Sequence, residues 1–344
     1  MKSPKNRRMA GVLFLLLVCA TVFFVTQSSG SFSLREFRDD LAGSSPGLIA
    51  AAAACMVCYV LLEGLSLRHL TGSLGYRRGV LPSAVWSAAD IFFSAITPSA
   101  TGGQPASALC MMRCGVPAAV TTVALLINLA MYTVSILLIG AVCAVLRPGM
   151  LAGFGTLSHV LIAAGTVIQF GLVAVFFMLV FRKRLAFAIA GWGLRVLTRM
   201  RIVKAPDAAR EKLDRVAEEY GACAEVLSGR RGILMRTLGY NVLQRLAMIL
   251  VSMFVYLAMG GAPGRWLDVC AVQGFVILGS NAIPLPGAVG VADYLYLDGF
   301  GGLVEDLVSV ELVQRGISFY ACVALCGLIT WVFLALHRAD DQGK

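Results

Sequence analysis

Apolar residues run in long stretches along this chain, and polar positions gather between them. Six windows are long enough to cross about 30 Å of hydrocarbon at about 1.5 Å per residue. They are Ala10 to Thr26, Gly47 to Leu65, Pro117 to Leu146, Val160 to Phe181, Thr237 to Met259 and Ile317 to Leu336. The pattern predicts an all-α, polytopic integral membrane bundle of about six full spans. The first window follows KSPKNRR and continues as VFFVTQSSG, with no small-x-small cleavage site close behind. It therefore reads as an uncleaved signal anchor.

Two segments fit neither a clean span nor a loop. One, from about Leu81 to Gly115, contains TPSATGGQPA at residues 97 to 106. The other, from about Leu267 to Glu311, contains AVQGFVILGSNAIPLPGAVGVADYLYL. Both are apolar enough for the membrane and too rich in proline and glycine to cross it as one helix.

Polar residues collect between the fourth and fifth spans, from Arg182 to Gly232. There Leu213, Val216, Tyr220, Cys223 and Leu227 recur at intervals of three or four. This predicts an amphipathic connector helix begun by Pro206 and Asp207, lying on the inner membrane face or the bundle. Residues 1–344 then form a single transmembrane domain, with the connector at 182–232.

Composition agrees: 58% of the 344 residues are hydrophobic and 14% charged, with a mean hydropathy of +0.81. A water-soluble globule is excluded. The net charge of +10 would suit a nucleic-acid partner, so its distribution decides. With the amino terminus in the cytoplasm, 23 of the 29 Lys and Arg residues fall on cytoplasmic segments. Arg35, Arg38, Arg147, Arg265 and Arg315 fall outside, and Arg245 lies within a span. That is the positive-inside pattern, with both termini cytoplasmic, and no nucleic-acid partner is needed. The basic excess also suits anionic lipid headgroups.

The same assignment places Arg77, Arg78 and Arg113, the flanks of the first broken segment, on the cytoplasmic side. Arg265 and Arg315, flanking the second, fall outside. Each segment is thus expected to enter the membrane and return, the two from opposite faces. Inverted repeats of transporters produce this arrangement, and irregular backbone at membrane depth requires a cavity or a protein cover.

In the first break Pro98 ends the incoming helix and Gly102 and Gly103 permit the turn. Pro105 is placed to open a new helix, ASALCMMR. Its amino end would present N–H groups and partial positive charge to an anion, with phosphate the natural candidate in lipid. Thr97, Ser99, Thr101 and Gln104 could add side-chain hydrogen bonds. The second break uses Pro284 and Pro286, then Gly287 and Gly290. Asp293 sits in the first turn of the next helix, as a helix-end carboxylate, an ion or proton site, or the partner of a membrane arginine, Arg245. Arg245, about one turn into the fifth span beside Asn241 and Gln244, is snorkelling to the cytoplasmic face, part of a lipid phosphate or carboxylate site, or a sign that the span ends lie elsewhere. Glu63, Asp90, Asn128, Gln169 and Gln273 are further polar positions in apolar context.

No cofactor or metal site is read. Cys55 and Cys58 form a lone CxxC within a membrane helix, and His69, His159 and His337 sit at span ends. No GxxxxGK[ST] loop is present, so any driving force must come from a gradient, a lipid imbalance or a partner.

TPSATGGQP followed by Arg113, Gly115, Val116 and Pro117, and then PLPGAVGVAD, resemble the transmembrane flippase-like domain of the lysyl-phosphatidylglycerol synthase family. These are the multiple peptide resistance factors and their stand-alone relatives. The resemblance covers roughly residues 8 to 338. Ala288 stands where the family has the second glycine of a pair, and Asp293 where it has glutamate. The resemblance implies a bacterial inner-membrane translocase for phospholipids or polyprenyl-phosphate lipids. The headgroup would be held by Thr97, Ser99, Thr101, Gly102, Gly103, Gln104, Arg245, Gly287, Gly290 and Asp293. Full-length resistance factors add an aminoacyl-transferase domain, and these 344 residues supply no aminoacyl-tRNA site. An alternative is an accessory that presents lipid to a separately encoded aminoacyl- or glycosyltransferase.

Overall fold

A computed structural model describes residues 41–97, 100–181, 229–281, 290–304 and 306–342, with single residues 192, 225, 283 and 288. The first apolar window, nearly all of the connector, Ser99 and Gly287 lie outside the described residues.

All regular structure among the described residues is helical. The elements are α1 (Pro46–Ser73), α2 (Val80–Ile96), α3 (Gly103–Arg113), α4 (Ala118–Leu146), α5 (Thr156–Phe181), α6 (Arg231–Ala258), α7 (Trp266–Ser280) and α8 (Val291–Phe300). The last span comprises α9 (Leu307–Arg315), a π-helical turn (Gly316–Ala321) and α10 (Cys322–Gln342). Five helical stretches are long and apolar enough to cross a membrane: Pro46–Ser73, Ala118–Leu146, Thr156–Met178, Arg231–Ala258 and Leu307–Leu336. The outer face of α5 leaves Val167 71% and Phe170 61% exposed, as suits a helix solvated by hydrocarbon.

Two span boundaries differ from the sequence reading. The fifth span starts at Arg231 rather than Thr237, because a membrane helix continues past the hydrocarbon wherever its backbone can still hydrogen-bond. Arg245 is therefore mid-helix, about 21 Å from the helix start at 1.5 Å per residue. The last span starts at Leu307 rather than Ile317. Glu311, Gln314 and Arg315 lowered the apparent hydropathy there, yet all three are buried. Arg315 thus moves from an outer loop into the bundle.

The two broken segments are helical hairpins. Arg78, just before α2, donates from Nε to the Cys114 carbonyl at 2.7 Å and from Nη2 to the Gly115 carbonyl at 3.1 Å, just after α3. The free ends of the first hairpin are thereby tied together. Arg265, just before α7, donates to the Gly302 carbonyl, just after α8, at 2.7 Å. Each arginine satisfies carbonyls that a helix carboxyl end leaves without partners.

These ties lie on opposite faces. The Ser45 N–H donates to the Ala258 carbonyl at 3.0 Å, joining the start of α1 to the end of α6. His69 near the other end of α1 sits beside Tyr240, with ring centroids 6.1 Å apart. Helices α1 and α6 are therefore antiparallel. The first hairpin leaves from the end of α1 and the second from the end of α6, so they enter from opposite sides. Arg147 at the end of α4 pairs with Asp268 in α7 at 3.1 Å, which puts the end of α4 on the second hairpin's side. The order span, hairpin, span occurs twice: α1, α2–α3, α4 and α6, α7–α8, α9–α10.

Two apolar clusters support this frame. One gathers Trp86, Met111, Val123 and Leu70 around the first hairpin. The other joins Tyr256, Phe275, Leu295 and Phe300 around the second. Helices α1 and α2 meet closely at Gly64, where an added Cβ would lie 2.6 Å from the Ser83 carbonyl oxygen. Small residues allow such backbone approach where lipid supplies no hydrophobic drive between helices.

Candidate functional site: a charged cavity between two broken hairpins

The two breaks meet at one cavity of about 630 Å³. Ala100, Thr101 and Gln104 reach it from the first, and Asn281, Ile283 and Ala288 from the second. Ala100 and Ala288 have φ of +52° and +51°, and each stands three residues before its return helix. Gly290, with φ of +87°, then caps α8. These left-handed conformations turn the backbone sharply, and outside glycine they carry a steric cost.

Two charged groups lie at the cavity, with Glu63, Asp90, Arg245, Glu311 and Arg315 among its lining. The first contains Glu63 from α1, Asp90 from α2 and Arg245 from α6. Asp90 accepts from Gln104 Nε2 at 2.8 Å and from Ser94 Oγ at 3.2 Å. Glu63 accepts from Ser87 Oγ and Gln244 Nε2, each at 3.1 Å. Ser87 lies one helical turn before Asp90 on α2, so its bond to Glu63 brings the two carboxyl groups to the same wall of the cavity.

Arg245 is 4% exposed. Its guanidinium carbon lies 4.7 Å from the Tyr59 ring centroid and 4.5 Å from that of Tyr132, within cation–π range. Nη1 reaches the Tyr132 hydroxyl only at 3.5 Å, while Nε and Nη2 are buried with no hydrogen-bond partner among the described residues. Buried guanidinium N–H groups without acceptors are costly. They are also suited to a planar, two-pronged grip on phosphate or carboxylate. Tyr132 passes the contact on, donating to Asn281 at the start of the second break at 2.6 Å.

The second group is Asp293 from α8 with Glu311 and Arg315 from α9. Asp293 accepts the Gly290 N–H at 2.7 Å, closing a capping box on its own helix. Its other oxygen makes a short charge-assisted bond with Arg315 Nε, and Glu311 lies 3.7 Å from the same nitrogen. Of the options left open by the sequence, Asp293 takes the partner of a membrane arginine, and that arginine is Arg315 rather than Arg245. The π-helical turn after Arg315 has one residue more per turn than an α-helix, as is frequent at functional sites. Ser318, Phe319 and Cys322 face the cavity from it and the residue that follows.

Of the headgroup positions read from sequence, Thr101, Gln104 and Arg245 line the cavity, as do the further polar positions Glu63, Asp90, Asn128, Gln169 and Gln273. Thr97 instead braces the first break: its Oγ1 donates to the Phe93 carbonyl at 2.6 Å and accepts from the Gly102 N–H at 2.9 Å. Helix α3 begins at Gly103, two residues before Pro105, and Gly102 caps it. Its amino end faces Asp90: a Cβ on Gly103 would lie 2.0 Å from Asp90 Oδ1. A carboxylate of the chain itself thus occupies the place beside that helix end where an external anion was expected. Gly290 and Asp293 satisfy each other, and Ser99 and Gly287 lie outside the described residues.

Tyr59, Tyr132, Glu311 and Arg315 were missed as site residues. Tyr59 carried a usable signal, since Met56, Tyr59, Glu63 and Ser66 follow one face of α1 at three- and four-residue steps. Glu311 and Arg315 are likewise four apart in an otherwise apolar stretch.

A helical, multi-pass membrane protein with a charged cavity between two oppositely oriented broken hairpins is the class these features define. Residues 9–326 match the lysylphosphatidylglycerol synthase TM region family, and the chain belongs to it. A UPF0104 membrane protein from Archaeoglobus fulgidus is 32% identical over 97 residues, a stretch covering 28% of each chain.

Proposed function

We propose that this protein is a lipid translocase of the bacterial inner membrane, moving lipids with a phosphate-bearing headgroup between leaflets. Phosphatidylglycerol, lysyl-phosphatidylglycerol and polyprenyl-phosphate lipids carry the required group. The supporting observation is Arg245. Its guanidinium is buried mid-helix with two nitrogens that have no hydrogen-bond partner among the described residues, beside a cavity bounded by breaks that come from opposite faces. A headgroup phosphate there would supply the missing acceptors, and rearrangement of either hairpin would open the site to one leaflet. Membership of the family agrees with this reading.

Reconstitution into liposomes with headgroup-labelled phosphatidylglycerol, lysyl-phosphatidylglycerol or undecaprenyl phosphate tests it. The protein should accelerate transfer between leaflets, and Arg245→Gln should abolish the gain while retaining the folded elution profile. Transfer of all three lipids at the rate of empty liposomes would reject intrinsic translocation. An unaltered rate in folded Arg245→Gln would remove this residue from the mechanism.

A further inference from the structure

The two charged groups are built alike, each with two carboxyl side chains and one arginine, but they are balanced differently. In the second, Arg315 touches both Asp293 and Glu311. In the first, Arg245 lies against tyrosine rings, and among the described residues neither Glu63 nor Asp90 has an ion-pair partner. Both line one cavity, and Ser87, one helical turn before Asp90 on α2, donates to Glu63 at 3.1 Å, which brings the two carboxyl groups to the same place. Two ionised carboxylates have acceptors only, so a hydrogen bond between them requires a proton. Close like charges away from water oppose ionisation of both.

A second observation points to the same place. Gln244, 1% exposed, donates its amide nitrogen to Glu63, while its amide oxygen is buried with no partner among the described residues. That oxygen is free to accept from a protonated carboxyl. Ser87 donates to the same Glu63 oxygen as Gln244, Oε2, and Ser94 and Gln104 donate to the two oxygens of Asp90, so Glu63 Oε1 receives none of these donors. The titratable groups facing the pair are Tyr59 on α1, Tyr132 on α4, Arg245 on α6 and Cys326 on α10; α3 presents Gln104.

We propose that Glu63 and Asp90 form a proton-binding site whose occupancy is coupled to that of an anion at Arg245. With the pair carrying a proton, Arg245 is left to the anion. With both carboxylates charged, they compete for Arg245 and repel a phosphate in the same cavity. Proton and anion thus favour each other's binding, and the effect is reciprocal. If the site translocates lipid, as proposed above, a proton moves with each anionic headgroup and a proton gradient can drive the transfer. No bond to carbon or phosphorus changes; one proton enters the pair from solvent and leaves to solvent.

The test is proton uptake by the purified full chain in weakly buffered detergent, followed with a pH-indicator dye as phosphatidylglycerol is added. Wild type should take up protons, and a Glu63→Gln/Asp90→Asn double variant should lose the response. Arg245→Gln, which keeps the carboxyl pair, should lose it too, and this second variant decides the matter if the double variant fails to fold. No uptake by wild type, or undiminished uptake in a folded variant, overturns the proposal. Uptake that needs added sodium ions would also overturn it, by assigning the pair to a metal cation. Protein that moves labelled lipid in liposomes without proton uptake would sink this inference and leave the translocase reading standing. Uptake by protein that moves no lipid would do the reverse.

Discussion

Ala100 and Ala288 hold the same left-handed backbone at equivalent places in the two breaks, with φ of +52° and +51°. Each stands three residues before its return helix. A residue with a Cβ costs roughly 1–2 kcal/mol in this region. Ala288→Gly should therefore raise the thermal stability of the purified protein by up to about 1 kcal/mol, the gain being limited by the entropy glycine returns to the unfolded chain. Ala288→Val should lower it. A melting series in one detergent checks both, and a glycine variant less stable than wild type would show that the backbone there is not strained.

Gly103 is required by the closeness of Asp90. A Cβ at 2.0 Å from both Asp90 Oδ1 and Ser94 Oγ, and 2.7 Å from the Asp90 carbonyl oxygen, has no room. Side chains could swing aside, but the backbone carbonyl cannot do so without moving α2. Gly103→Ala should cost about 1–3 kcal/mol, the usual range for overpacking, and should displace Asp90 from Glu63. Gly302→Ala serves as the control, since a Cβ there meets open space. Equal melting points for the two variants would contradict the packing.

Asp293 and Arg315 are 0% and 8% exposed, and the second break depends on their pairing. Arg315→Gln leaves two buried carboxyl groups without their cation and should destabilise by about 3–5 kcal/mol. Asp293→Asn retains an oxygen for the Gly290 N–H and removes the charge, so the double variant should recover part of the loss. Additive losses in a double-mutant cycle would argue against direct coupling.

Tyr132 touches both Arg245 and Asn281. Tyr132→Phe keeps the ring beside the guanidinium but removes the 2.6 Å hydrogen bond to the second break. The expected cost is about 1 kcal/mol, with retention of anionic-lipid binding in a fluorescence titration. Tyr132→Ala removes the ring as well and should weaken that binding. If the phenylalanine variant loses lipid as fully as the alanine one, the hydroxyl rather than the ring positions Arg245.

The opposite orientation of the hairpins gives a labelling pattern. Single cysteines at Ser73 and Gly302, in a chain whose ten native cysteines are replaced, should react with a membrane-impermeant thiol reagent from different sides of sealed vesicles. Labelling of both from one side would require a different topology.

Much of this architecture is written locally. Long apolar windows announce helices in lipid because the bilayer offers no other partner for the backbone. Proline and glycine in TPSATGGQPA and PLPGAVGVAD announce breaks because they remove donors or permit positive φ. Basic flanks predicted that the hairpins open to opposite faces. They did so although Arg315, counted as an outer flank, is buried; Arg265 and Gly302 mark that end instead.

Side-chain pairing was not legible, because it depends on residues far apart in sequence. The sequence alone marked Glu63, Asp90, Arg245 and Asp293 as polar residues in apolar surroundings. Only tertiary packing decided that Asp293 meets Arg315, that Asp90 lies against the start of α3, and that Glu63 meets Asp90 in place of a cation. A buried charge must be compensated, which sequence can announce; which neighbour compensates it is set by how antiparallel helices align. That alignment left Arg245 with aromatic faces and two nitrogens without hydrogen-bond partners among the described residues.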